Sequence, residues 1–182
     1  MWSDRQVLIA GMAAAFLINA TANAAHAQSL GSGHTATPAE IAGWDIDVRA
    51  DGQGLPPGHG SVREGEKVYV ENCAACHGDK GEGKPADRLV GGFGTLASAH
   101  PVRTVGSYWP YAATLFDFIR RAMPFTAPQS LSADQIYAVS AYVLYLNKIV
   151  PEDTVLDATS LPKVAMPNRN GFTSPDPRPD VP

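Results

Sequence analysis

Hydrophobic and polar positions divide the chain into a few readable stretches. Val7 to Ile18 is a continuous apolar run, and Gln28 to Gly60 carries almost no periodicity. Ser61-Val62-Arg63-Glu64 then has the form of a capping box, in which the serine oxygen and the glutamate each satisfy the other's free amide. It predicts a helix from about Val62 to Asn72. Gly65 inside it costs about 1 kcal/mol relative to alanine, and such a glycine marks close approach by another element. Leu115, Phe118, Ile119 and Ala122 form one stripe and predict a helix over Thr114 to Met123, stopped by Pro124. Ser132 to Gln135 is a second capping box. The helix it opens carries Ile136, Val139, Val143 and Leu146 at helical spacing and ends near Lys148.

Between these helices the pattern is irregular. Gly78 to Gly94 is a glycine-rich loop able to follow a flat surface closely, because glycine has no side chain in the way. Tyr108-Trp109-Pro110-Tyr111 is a dense aromatic cluster. In the arm before Ser61, only Pro38 to Val48 has enough apolar residues to pack, with Ile41, Trp44, Ile46 and Val48. After Pro151 the periodicity is lost. Leu156, Leu161, Val164, Met166 and Phe172 are available to pin a tail, and Asp176 to Pro182 reads as disordered. The expected layout is a leader over 1–27, an arm over 28–60, a helical domain over 61–150 and a C-terminal extension over 151–182.

Composition sharpens two points. The formal net charge is -4, with no basic face of the kind nucleic-acid binding requires. Charged residues are sparse at 18%, against 17 Gly and 15 Pro, which fits a small core with long irregular segments. The first apolar run is too short to span a bilayer comfortably. It follows a short region with Arg5 and precedes Ala25-His26-Ala27, an A-x-A cleavage site. The expectation is a secretory signal peptide cleaved after Ala27, a periplasmic protein, and no membrane span in the mature chain.

The chemistry lies in Cys73-Ala74-Ala75-Cys76-His77. These are the chain's two cysteines, and C-x-x-C-H is an attachment site for c-type haem. In bacteria that attachment takes place outside the cytoplasm, in agreement with the leader. The motif predicts one covalently attached haem c, with thioether links from Cys73 and Cys76 and an axial bond from His77. The sixth ligand is to be chosen from Met123, Met166, His100, His59 and His34. Met123 is the first choice, because it ends a helix just before Pro124-Phe125 and methionine is a known partner of histidine on haem iron. Met166 and His100 also precede a proline, but lie in a tail and a loop. The free nitrogen of His77 needs a carbonyl, for which Pro85 and Leu89 are candidates. Tyr108, Trp109 and Arg88 are candidates to hold propionates, with plain packing or a solvated charge as the alternative.

The order C-x-x-C-H, glycine-rich loop, helix ending in Met-Pro and terminal helix resembles a class I cytochrome c over about Ser61 to Lys148. Gly65 and Tyr69 match that family's G-x-x-x-Y pattern. The resemblance implies an all-α class I cytochrome c fold, with an irregular N-terminal arm and a C-terminal tail. Its first helix would cross its last closely, with Tyr142 as the facing aromatic.

A narrower resemblance reaches the arm and tail. Trp44-Asp45-Ile46, Asp51 to Pro56, Gly58-His59-Gly60, Thr104 to Ala112, Arg120 to Phe125 and Met166 to Phe172 are similar to the cytochrome subunit of sulfite and sulfane dehydrogenases, the SoxD-like type. That resemblance implies an electron-accepting subunit or partner of a molybdenum sulfite/sulfane dehydrogenase. It would carry single electrons to a downstream cytochrome or oxidase and would not be an enzyme by itself. Some members carry two haems, and this chain has one C-x-x-C-H. The alternative is a general periplasmic shuttle to a terminal oxidase. Such a shuttle is expected to show a single-sign docking ring. Here Lys67, Lys80, Lys84 and Arg88 are interleaved with Glu66, Asp79, Glu82 and Asp87. A haem enzyme such as a peroxidase would need an open axial position.

Overall fold

The computed structural model describes residues 33–173. The leader with its cleavage site and the segment Asp176 to Pro182 lie outside them. Helix α1 is Pro38–Trp44. Its start is a capping box: Glu40 N donates to Thr37 Oγ1, and Thr37 N donates to Glu40 Oε2 at 2.8 Å. The compact body that follows begins at Trp44. Strand β1 (His59–Ser61) leads into α2 (Val62–Asn72) and the short α3 (Ala74–His77). Then come α4 (Val105–Tyr108), α5 (Ala112–Ala122), α6 (Ala133–Leu146), β2 (Val155–Asp157) and a 3₁₀ turn at Leu161–Lys163. The architecture of the described residues is helical, with one two-stranded antiparallel ribbon that pairs His59 with Asp157 and Ser61 with Val155. Among the described residues, no helix is long and apolar enough to cross a membrane.

The sequence-read helix starts hold at two of three places. Ser61 and Ser132 both close capping boxes, on Glu64 and Gln135. The middle helix starts at Ala112, two residues before the expected Thr114, and ends with Met123 as its C-cap. Tyr111 supplies no side-chain cap, so no local polar signal marks that start. The arm contains α1, and β1 forms where the sequence shows only turn chemistry.

The core forms where α2 crosses α6. A Cβ placed on Gly65 would lie 1.9 Å from the Ala138 carbonyl oxygen, and one on Gly60 would lie 2.3 Å from Ala138 N. Only glycine permits backbones this close. Tyr69 is fully buried, its ring 5.3 Å from that of Tyr142, as the helix-crossing pattern implies. Phe116 and Tyr137 join α5 to α6 at 4.5 Å.

Of the arm's four apolar residues, Val48 is buried in this core, whereas Trp44 is 88% exposed. The tail packs through Leu156, Leu161 and Met166, all buried, with Val164 against them. Phe172 stays on the surface, edge-on to Tyr108 at 5.2 Å.

A candidate haem site

Helix α2 delivers the two cysteines. Its C-cap is Cys73, whose amide donates to Tyr69 O at 2.8 Å. The chain turns at once into α3, so Cys73 and Cys76 sit on one short helical turn. Cys73 is half-buried against the core and Cys76 is exposed. Burial, and secondarily the neighbouring Cys76, pushes the Cys73 thiol up to about 11.

His77 ends α3. Its Nδ1 lies 2.7 Å from the Asp87 carbonyl oxygen. This corrects the expectation that Pro85 or Leu89 supplies that acceptor. The loop is folded back by Gly83 N to His77 O and Ala86 N to Cys76 O, both 2.8 Å, and that phase presents the carbonyl of Asp87. The ring is thereby oriented, and among the described residues Nε2 has no protein partner. Tyr69 fixes the start of the same loop by donating its hydroxyl to Gly78 O at 2.8 Å. Burial raises its phenol above the usual tyrosine range.

The far end of the loop is held by a residue that the sequence reading passed over. Asn147, almost completely buried, donates to Leu89 O at 3.1 Å and to Val143 O at 2.9 Å, and accepts from Gly91 N at 3.2 Å. Gly106 is its counterpart, since a Cβ there would lie 2.2 Å from Asn147 Oδ1. Thr104 closes the cluster by donating to Gly91 O at 2.6 Å while capping α4.

Met123 is half-buried at the edge of the core, at the end of α5. Met166 is buried within the core itself. His100 is exposed in a loop, His59 lies on β1, and His34 contacts Glu40 at 3.2 Å. Arg88 is tied to its own loop, its Nε donating to Glu82 O at 3.1 Å. Trp109 packs edge-on against Phe118 at 5.8 Å, and Tyr108 lies between Arg103 and Phe172.

The side chains present are of the kinds that hold a haem. They include two cysteines one turn apart, an oriented imidazole and a thioether at a helix end. Large apolar side chains such as Phe118 and Phe93, each more than two-fifths exposed, are available for a flat apolar group to cover.

Fold and donor set together define a c-type cytochrome, and the chain belongs to that family as an electron-transfer protein. Residues 60–143 match the family model described as cytochrome c oxidase, cbb3-type, subunit III. Among solved structures the chain is similar to the sulfane dehydrogenase SoxCD from Paracoccus pantotrophus. The identity is 47% with a TM-score of 0.76, over 82% of this chain and 74% of that one. It is also 31% identical over 96 residues to a thiosulfate dehydrogenase of Stutzerimonas stutzeri (strain A1501). That match spans 48% of this chain and 28% of the relative's length.

Proposed function

We propose that this chain is a periplasmic carrier of single electrons, with one haem c attached through Cys73 and Cys76. It serves as the electron-accepting subunit or partner of a molybdenum sulfite/sulfane dehydrogenase and passes electrons to a downstream cytochrome or oxidase. The layout goes with this: a leader removed after Ala27, an arm to residue 60, the haem domain over 61–150 and a C-terminal extension. When bound, haem c supplies a one-electron redox centre.

The protein's part is to hold and shield that centre. Cys73 and Cys76 fix it to the α2–α3 junction. His77, whose ring the Asp87 carbonyl orients, would hold the iron through Nε2, and Met123 would hold it through its thioether sulfur. A methionine partnering a histidine would raise the potential of the haem and leave no position for a substrate. Asn147, Thr104 and Tyr69 hold the glycine loop in its fold.

The observation that carries this reading is the extent of the likeness to SoxCD. It reaches 82% of the chain, well beyond the 60–143 stretch common to the wider cytochrome family. The test is stopped-flow reduction of the oxidised holoprotein. Sulfite or a sulfane donor is added with and without the purified molybdenum dehydrogenase of the same host. Fast reduction only with donor and dehydrogenase together is expected. Equal reduction by unrelated donor cytochromes, and none by the dehydrogenase, would make the chain a general shuttle instead.

A further inference from the structure

Helix α5 carries a nearly buried carboxylate, Asp117, which the site described above does not use. Burying a charge is costly unless it is paired and hydrogen-bonded, so its partners show what it is there to hold. One is the arm: Val48 N donates to Asp117 Oδ1 at 2.8 Å. The other is the last turn of α5 itself. Arg121 donates Nε to Oδ1 at 3.0 Å and Nη2 to Oδ2. Next to it, Arg120 Nη1 donates to Ile46 O at 2.8 Å. Val48 is anchored in the core, so the arm segment 46–48 is a fixed strut rather than a free end. Positions 117, 120 and 121 share one face of the helix. The strut therefore holds α5 at two points on that face, Asp117 and Arg120, and Arg121 ties Asp117 to the final turn.

The residue immediately after this gripped turn is Met123. Its amide makes the last helical bond, to Ile119 O at 3.0 Å, and its backbone is already extended. Helix ends fray, and this is where a helix-borne ligand is most easily lost. We propose that Asp117 is a positioning residue: clamped between the arm and Arg121, it holds the C-terminal turn of α5 rigid and so keeps Met123 in place as a ligand. This rests on the reading of Met123 as the sixth ligand. On this account the arm has a duty toward the redox centre as well as toward the fold.

The test is the rate at which added imidazole replaces the sixth ligand in the oxidised holoprotein, followed by absorption spectroscopy. That rate reports opening of the Met123 end of α5 and requires no turnover. Four variants are compared with the parent: Asp117→Ala, Asp117→Asn, Met123→Ala and Asp134→Ala. Asp117→Asn keeps an acceptor for Val48 N and guards against a failure of the alanine variant to fold. Asp134 is a control, a carboxylate at the start of α6 that accepts from His59 N at 2.8 Å.

Imidazole capture is expected to be slow in the parent and fast in Met123→Ala. It should rise about tenfold in Asp117→Ala, the factor a charge-assisted hydrogen bond is worth, and by less in Asp117→Asn. Asp134→Ala should stay at the parental rate. Parental rates in both Asp117 variants, with Met123→Ala still fast, would overturn the role of Asp117 alone. Equal rates in the parent and Met123→Ala would overturn the Met123 reading and the proposal with it.

Discussion

At the scale of single residues, the site depends on side chains that anchor backbone rather than touch a reacting atom. Asn147 is the main case. It makes three hydrogen bonds from an almost fully buried position, two of them to the glycine loop. Asn147→Leu should cost about 3 kcal/mol, roughly 1 kcal/mol for each lost bond, because the loop groups are left without partners. Denaturant unfolding of the holoprotein measures this, and a loss below that of a typical surface substitution would refute it. Asn147 was not legible in the sequence. It reads there as an ordinary residue after the last helix, and its two loop partners lie 58 and 56 positions away. The same holds for the acceptor of His77. A carbonyl in a glycine-rich loop is assigned only when the loop's register is known, so Asp87 could not be told from its neighbours. Cys73, Cys76 and His77 needed no such knowledge, since their spacing is local. Met123 was singled out because a local stop signal, Pro124, follows it.

At the scale of elements, helix starts with paired caps were readable and contacts between distant segments were not. Ser61 and Ser132 announced α2 and α6. Thr37-Pro38-Ala39-Glu40 carries the same signal, with proline at the first helical position, yet lies in a stretch whose turn residues hid it. The β1–β2 ribbon joins segments almost a hundred residues apart, one of them a Gly-rich run with no strand pattern. The α2–α6 crossing was legible through Gly65 and Tyr69, and it is the contact least able to absorb change. Gly65→Ala puts a methyl group against the Ala138 carbonyl, and the backbone cannot yield as a flexible side chain would. It should destabilise the fold by about 3 kcal/mol, at the upper end for overpacking. Ser61→Ala, which removes one capping box, should cost about 1 kcal/mol. Thermal unfolding of the two variants side by side gives the order, and a larger loss for Ser61→Ala would contradict the crossing as the tighter constraint.

At the scale of the whole molecule, the arm and tail are joined to the haem domain by polar contacts as well as packing. Tyr137 donates its hydroxyl to Pro56 O at 2.8 Å, and Asp157 organises the turn after β2 by accepting from the amides of Thr159 and Ser160. These groups give the stability a definite pH dependence. Burial raises Tyr137 to about 12, above its ordinary value near 10. Its contribution is therefore complete below pH 10 and is lost as the pH rises toward 12. Hydrogen bonds to Ser160 and Thr159 hold the Asp157 carboxyl below the usual range, and those to Ser61 do the same for Glu64. Their contributions are complete above the ordinary carboxylate range and are lost as the pH falls below it, through their lowered native values. Stability should thus be flat around neutrality and decline at both ends. Denaturant midpoints across the pH range check this, and Tyr137→Phe should remove part of the alkaline decline. A profile unchanged by that substitution would show that Tyr137 does not set it.

In the proposed function, Cys73, Cys76, His77 and Met123 together hold one haem c as an electron-transfer centre. The most direct test is a potentiometric titration of the parent holoprotein beside Met123→His. Methionine opposite histidine raises the potential, and axial ligands together span about 0.8 V. The variant should therefore fall by about 0.1 V or more while keeping its covalently bound haem. An unchanged potential would remove Met123 from the iron and contradict the account.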